Sequence, residues 1–272
     1  MGPGHRMAHI LVTNDDGVDA AGLLSLVQAL GSLGRVTVLA PDKNWSASGH
    51  VKTMHRPLRV RPTRLADGTP ALAADGAPSD CVALAVLGLV ADPIDLVISG
   101  INPHANVGHD VTYSGTVTAA MEAAISGLAG MAVSLDSGEN AAGERDYTCA
   151  ARVAKDLAGR VLATGLPAGV LLNVNVPERS YDDLRGVRIT RQGLRVYRDA
   201  LVRREDPRGR PYYWIGGEAP TGVEEQGTDF WALANGYVSV TPLQLDLTAH
   251  QHMGAFQDWE TDLPSGWSPA KP

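Results

Sequence analysis

From His9 to Val176 the chain alternates short apolar runs with amphipathic stripes, and that alternation leaves few folds open to it. The runs His9–Thr13, Val36–Ala40, Leu96–Ser99, Met131–Leu135 and Val170–Val176 read as buried strands. Between them lie helical patterns over residues 21–33, 79–90, 114–127 and 146–164, with Ser79 or Asp80 as the cap of the second. Strands separated by helices connect through right-handed crossovers, so the expected architecture is α/β. A mainly parallel sheet is covered by helices on both faces. In such sheets ligands bind beyond the carboxyl ends of the strands.

Beyond Val176 the texture changes. Residues 178–210 hold ten arginines and six acids. Val187–Gln192, Tyr212–Ile215 and Tyr237–Thr241 read as strands joined by irregular Gly/Pro segments. Long hairpins that cannot bury their own faces tend to pair with another subunit. The expected division is a core over residues 1–177 and, over residues 178–272, hairpin arms and a tail that complete the fold and mediate oligomerisation. Residues 248–263 are expected to form a final helix.

Composition narrows the function classes. The 272 residues are 44% apolar and 19% charged, which suits a packed core rather than disorder. Net charge is −7, against the many Lys and Arg that a sequence-independent grip on polymeric nucleic acid requires. The same balance disfavours an anionic membrane surface, but one phosphate needs only a local site. The longest apolar run, Cys81–Ala91, is too short to span a bilayer. Residues 1–6 lack the apolar stretch of a signal peptide and read as an appended segment ahead of a natural start at Met7. Cys81 and Cys149 sit in apolar helical patterns, and two such residues point to reduced core thiols in a reducing cytoplasm.

Four polar segments follow strands directly. Asn14-Asp15-Asp16-Gly17 sets two carboxylates side by side. They repel unless a cation neutralises them, and a turn at Gly17 can bring both to one point. Hard oxygen donors of this kind suit Mg²⁺ or Mn²⁺, although a capped turn with solvated acids is the plainer reading of the pair alone. Asp42 to Gly49 offers small polar groups, among them Asn44 and Ser46. Ser99-Gly100-Ile101-Asn102 presents a neutral oxygen and runs on to Asn106 and Gly108. Tyr113-Ser114-Gly115-Thr116-Val117 opens a helix, where unsatisfied N–H groups and the helix dipole favour an anion. A metal pair and an anion cradle on one rim suggest phosphate-ester chemistry. Lys52, Arg56, Arg59, Arg61 and Arg64 form an acid-free basic stretch that reads as a solvated strand face.

In order along residues 8–250, these segments resemble the SurE family of survival-protein nucleotidases. The likeness includes Ile10 to Gly22, Ala40 to Ser46, Gly76 to Val82, Ser99 to Asn102 and Tyr113 to Val117. In the tail it extends to Asp206 to Gly209, Tyr213 to Gly216, Gly227 to Asp229 and Val240 to Leu243. The resemblance implies a Rossmann-like three-layer sandwich and a metal-dependent phosphomonoesterase. Its substrates would be nucleoside 5′-monophosphates, with 3′-monophosphates as a second class. It further implies a homodimer or homotetramer built through C-terminal arms. By position, Asp15, Asp16, Ser46 and Asn102 match the family's ligands to one divalent cation. Asn44, Asn106, Ser114, Gly115 and Thr116 match its phosphate-side residues. This chain departs from the pattern at Trp45, His104 and His109. None of these removes a ligand, but all three bear on the pocket for base and sugar.

Asp16 is expected nearest the attacking water, as ligand and base, with Asp15 beside it. An aspartyl nucleophile is less supported, because the Asp-x-Asp pattern of aspartyl-phosphate phosphatases is absent. Two other readings stand beside this one: a phosphatase of short polyphosphate or another phosphorylated metabolite, and a non-catalytic nucleotide-binding module.

Overall fold

The computed structural model describes residues 6–137 and 145–259, with the side chains of 198, 199 and 217–220 left aside. The central strand β1 (Ala8–Thr13) pairs in parallel with β2 (Gly34–Pro41) on one side and β5 (Leu96–Asn102) on the other. Outside β2 lie β4 (Pro70–Ala74), parallel to it, and β3 (Val60–Arg64), antiparallel at the edge. Outside β5 follow the parallel strands β6 (Ala129–Asp136) and β7 (Val170–Pro177). Strand β11 (Val238–Gln244) then runs antiparallel to β7, and β8 (Val187–Ile189) closes the nine-stranded sheet. Sequence order reverses between β1 and β5, so their carboxyl ends open on a crevice where such sheets bind ligands.

Alternation along the strands builds the two faces. Ile10 and Val12 join Leu23, Leu26 and Leu30 of α1 (Ala21–Leu30) and Val153, Ala154 and Val161 of α4 (Thr148–Thr164). Leu11 points the other way, to Cys81 and Val82 of α2 (Pro78–Leu84) and Ala119 and Ala123 of α3 (Gly115–Ile125). Ile10, Leu11 and Val12 are all fully buried, as expected of a parallel strand covered on both sides. Gly22 lets α1 approach the site, because a Cβ there would lie 2.1 Å from the Ile101 carbonyl oxygen.

The α/β expectation is met, and its departures have physical causes. The second helix is capped at Ala77, not at Ser79 or Asp80. Asp80 stands three residues inside and accepts the Ala77 N–H at 3.0 Å. The helix ends at Leu84 and passes into a wide turn, Ala85–Leu89, where Gly88 has φ +115°. The apolar end of the pattern is at the surface, with Leu87 82% exposed. Strand β3 takes up the end of the basic stretch read as a solvated strand face, whereas strand β4 and the short helix α5 (Asp229–Ala234) lie outside the sequence expectations. The C-terminal helix is a 3-10 helix over His250–Trp259, and residues 260–263 of the expected helix lie outside the described residues. So do residues 1–5.

Residues beyond 178 do two things. Strands β8 and β11 extend the main sheet, whereas β9 (Arg195–Glu205) and β10 (Pro211–Gly222) form a separate antiparallel ribbon. Of the basic stretch, Lys52 pairs with Glu122, and Arg56 and Arg59 pair with Asp75, so acids distant in sequence meet it. Cys81 and Cys149 are free and buried. Among the described residues no helix is long and apolar enough to cross a membrane.

Candidate active site

The turn after β1 is closed by its own side chain. Asn14 is fully buried; its Nδ2 donates to Gly17 O at 2.9 Å and its Oδ1 accepts the Gly17 N–H at 3.3 Å. Gly17 has φ +103° and packs on the Lys43 backbone, which seats the turn against the end of β2. Val18 N–H adds a bond to Pro41 O at 2.8 Å. The rigid turn places Asp15 inside, 3% exposed, and Asp16 half-buried beside it.

Asp15 faces the start of α3. The Thr116 hydroxyl donates to Asp15 Oδ1 at 2.5 Å. A Cβ on Gly115 would stand 2.8 Å from the Asp15 Cβ, so only glycine lets the helix come this close. Ser114 caps α3, its Oγ accepting the Val117 N–H at 3.1 Å. Part of the helix start that reads as a phosphate cradle is therefore taken up by Asp15. Thr116 is committed to that carboxylate, while Ser114 and Gly115 remain at the opening.

The loop after β2 brings Asn44 and Ser46 to the same point. Trp45 N–H donates to Asp15 O at 2.7 Å, and Asn44 Nδ2 reaches Asp16 Oδ1 at 3.4 Å. Asn44 Oδ1 accepts the Ser46 N–H at 2.7 Å, leaving the exposed Ser46 hydroxyl without a protein partner among the described residues. Trp45 Nε1 and Ser48 Oγ in this loop are shielded from solvent and also lack partners. Asn102 ends β5, its Nδ2 donating to His104 O at 2.5 Å.

Asn106 is pinned more deeply. Its N–H donates to Asn175 Oδ1 at 2.8 Å, its O accepts from Asn173 and Asn175, and its Nδ2 donates to Ser134 Oγ at 2.8 Å. The next turn is held from the C-terminal region, where buried Asp229 accepts the Gly108 and Gly193 N–H groups at 2.8 Å each. His104 is half-buried on the wall near Ser137, and His109 is exposed on the 3-10 turn Gly108–Thr112. Among the described residues neither hydrogen-bonds the aspartates.

Charge sets the chemistry of this rim. Burial pushes the Asp15 carboxyl up, and the Thr116 hydrogen bond offsets only part of the rise. Burial, then the charge of Asp15, raises Asp16 to about 7, while the Arg145 cation acts in the opposite sense. Burial and the charge of Asp16 also raise the Tyr147 phenol. Arg145 and Tyr147, just before α4, were not legible as site residues in the sequence. Arg145 Nε is held by Ser137 Oγ at 2.8 Å. Two carboxylates whose protonated forms are favoured, beside neutral oxygen groups, make a donor set that fits one hard divalent cation. Among the described residues no group of three His, Cys, Asp or Glu side chains forms an alternative metal centre. Clefts of about 570 Å³ along β2–β4 and about 510 Å³ between α4 and β8 lie away from this rim.

The family described as Survival protein SurE matches residues 10–199. A 5′-nucleotidase SurE of Herpetosiphon aurantiacus is 53% identical over 240 residues, covering 88% of this chain and 93% of that protein. The 5′-nucleotidase SurE of Chloroflexus aggregans is 49% identical over 252 residues, covering 93% and 99%. The crystal structure of the SurE protein from Aquifex aeolicus superposes with a TM-score of 0.78 at 41% identity, covering 93% of this chain and 100% of that one.

A pH dependence follows from the raised carboxyl of Asp16. A folded-state value of about 7 against an ordinary 3.8 means that the folded protein binds the proton more tightly. Stability from this group is full below pH 3.8 and is lost as pH rises to about 7. In metal-stripped protein, Asp16→Asn should raise the Tm at pH 8 and leave it unchanged at pH 4; melting curves across that range, with chelator, check it.

Proposed function

The chain belongs to the SurE family, and from that premise we propose that it is a 5′-nucleotidase. It hydrolyses nucleoside 5′-monophosphates, and 3′-monophosphates as a second class, to nucleoside and phosphate. The observation that carries the reading is the pair Asp15 and Asp16, held rigidly against the N-terminus of α3 at the crevice between β1 and β5.

A Mg²⁺ or Mn²⁺ ion held by Asp15, Asp16, Ser46 and Asn102 would neutralise the carboxylates and polarise the phosphoryl oxygens and a water. The protein's own groups do the positioning, which carries most of the catalysis in phosphoryl transfer. Ser114 Oγ already accepts the Val117 N–H, so its own hydrogen is left to donate to a phosphoryl oxygen. The Gly115 N–H, at the positive end of α3, binds a second. Asn44 and Asn106 each retain an amide hydrogen for the same group. Thr116 orients Asp15 rather than the substrate. Arg145, whose charge already acts on Asp16, adds a cation to this wall.

Asp16 takes the proton of the attacking water on Oδ2, the oxygen that Asn44 leaves open. The water oxygen bonds to phosphorus, the ester P–O bond breaks with its electron pair, and the leaving oxygen takes up the proton. The free, buried cysteines fit the reducing cytoplasm where nucleotides are abundant.

From residue 178 onward, the β9–β10 ribbon is the part we assign to assembly. Trp214 pairs with Val202 and Ile215 with Leu201, which puts apolar side chains on both faces; Ile215 is 83% and Leu201 70% exposed. A lone two-stranded ribbon is marginal in water, so a second subunit is its expected partner, in a homodimer or homotetramer.

Two outcomes test this reading. Metal-stripped protein should release no phosphate from nucleoside 5′-monophosphates until Mn²⁺ or Mg²⁺ is restored, and Asp16→Asn should lower kcat about 10²–10⁴-fold. Metal-independent turnover, or a strong preference for polyphosphate, would reverse it. Light scattering should show an oligomer that Leu201→Asp with Ile215→Asp converts to monomer.

A further inference from the structure

The loop joining β2 and β3 carries Asn44 and Ser46 but has no strand or helix of its own. Its turn is closed by Ser48 N–H donating to Trp45 O at 3.2 Å, with Ala47 at φ +56°. Among the described residues Ala47 is the only non-glycine in the left-handed region, a conformation that strains an L-residue. A turn of that kind persists only when its surroundings hold it.

Two carboxylates on the opposite helices do the holding. Glu122 of α3 is 4% exposed, and its oxygens meet His50 Nε2 at 3.0 Å and Lys52 Nζ at 3.2 Å. Asp80 of α2 is as deeply buried and accepts the Thr53 N–H at 2.8 Å and the Thr53 hydroxyl at 2.7 Å. Between these anchors, Gly49 N–H donates to Tyr113 O at 3.0 Å and Thr118 Oγ1 to Gly49 O at 3.2 Å. Among the described residues the Glu122 carboxylate has no partner outside the loop. A carboxylate kept from water is costly unless paired, so folding α3 against the sheet draws His50 and Lys52 down onto it. That pull fixes one side of the strained turn, and the bond from Trp45 N–H to Asp15 O fixes the other.

We propose that Glu122 is a positioning residue of the active site. Through His50 and Lys52 it holds the Ala47 turn, so that Asn44 and Ser46 face Asp15 and Asp16. Glu122 itself touches neither substrate nor cation, and its catalytic consequence rests on the nucleotidase reading above.

The variant Glu122→Gln keeps the shape and removes the charge. Hydrogen exchange of the Trp45 and Gly49 amides should quicken while that of β1 stays unchanged. Affinity for Mn²⁺ alone, by calorimetry, should weaken about tenfold, with kcat at saturating Mn²⁺ within about twofold of the parent protein. If that variant does not fold, His50→Gln with Lys52→Met makes the same test from the solvent side of the contact. Loop exchange and Mn²⁺ affinity both within about twofold of the parent, in a folded variant, would overturn the proposal. A parent protein without metal-dependent turnover would instead reverse the functional reading and leave the exchange result to judge the role of Glu122.

Discussion

Two neighbouring carboxylates kept from water set the terms for the rest of this rim. Burial disfavours the charged form of each carboxyl, and at Asp16 the charge of Asp15 adds to it. One hydrogen bond to a charged group returns about 1.5–3 kcal/mol, so the Thr116 hydroxyl on Asp15 cannot settle the account alone. The cost appears as raised carboxyls, through burial at Asp15 and through burial and then the charge of Asp15 at Asp16, and a bound cation offsets it while leaving both groups ionised. The same demand explains how an acidic chain can take an acidic substrate. The local field, not the net charge of −7, decides what binds.

The fold supplies the rigidity that such a pair requires. Asp15 is buried because β1 is buried on both faces, and Asn14 locks the turn before the chain can splay the two acids apart. The loop bearing Asn44 and Ser46 leans on Glu122 and Asp80. The loop bearing Asn106 leans on Asn173, Asn175 and, through Gly108, on Asp229. Residues after 178 thus reach back to the site as well as extending the sheet. Polar groups buried behind the rim hold the polar groups on it.

What was legible in the sequence follows from how local each signal is. The run His9–Thr13, the stripe Leu23–Leu30 and the acids before Gly17 carry their periodicity and turn chemistry in adjacent residues, and the structure has a strand, a helix and a turn there. Strand β3 was legible only as a solvated strand face within the basic stretch, since Arg61, Pro62 and Arg64 make a polar, broken pattern that an edge strand tolerates. Strand β4 is alanine-rich and exists by pairing with β2 rather than by propensity. Thr116 reads as a helix-start hydroxyl in any sequence. Only the tertiary approach through Gly115 turns it onto Asp15. Arg145 stands just ahead of the helical pattern over residues 146–164 and Tyr147 at its start, where neither signals a site, and they meet Asp16 only when α4 docks beside α1.

The central claim is that Asp15 and Asp16 exist in this arrangement to be neutralised by one divalent ion. Calorimetric titration of Mn²⁺ into metal-stripped protein at pH 6.5, repeated in buffers of different ionisation enthalpy, tests it directly. With Asp16 raised to about 7, binding should show one ion per chain and a net release of protons, both lost in Asp16→Asn. Binding without proton release, or equally tight binding to Asp16→Asn, would contradict the account.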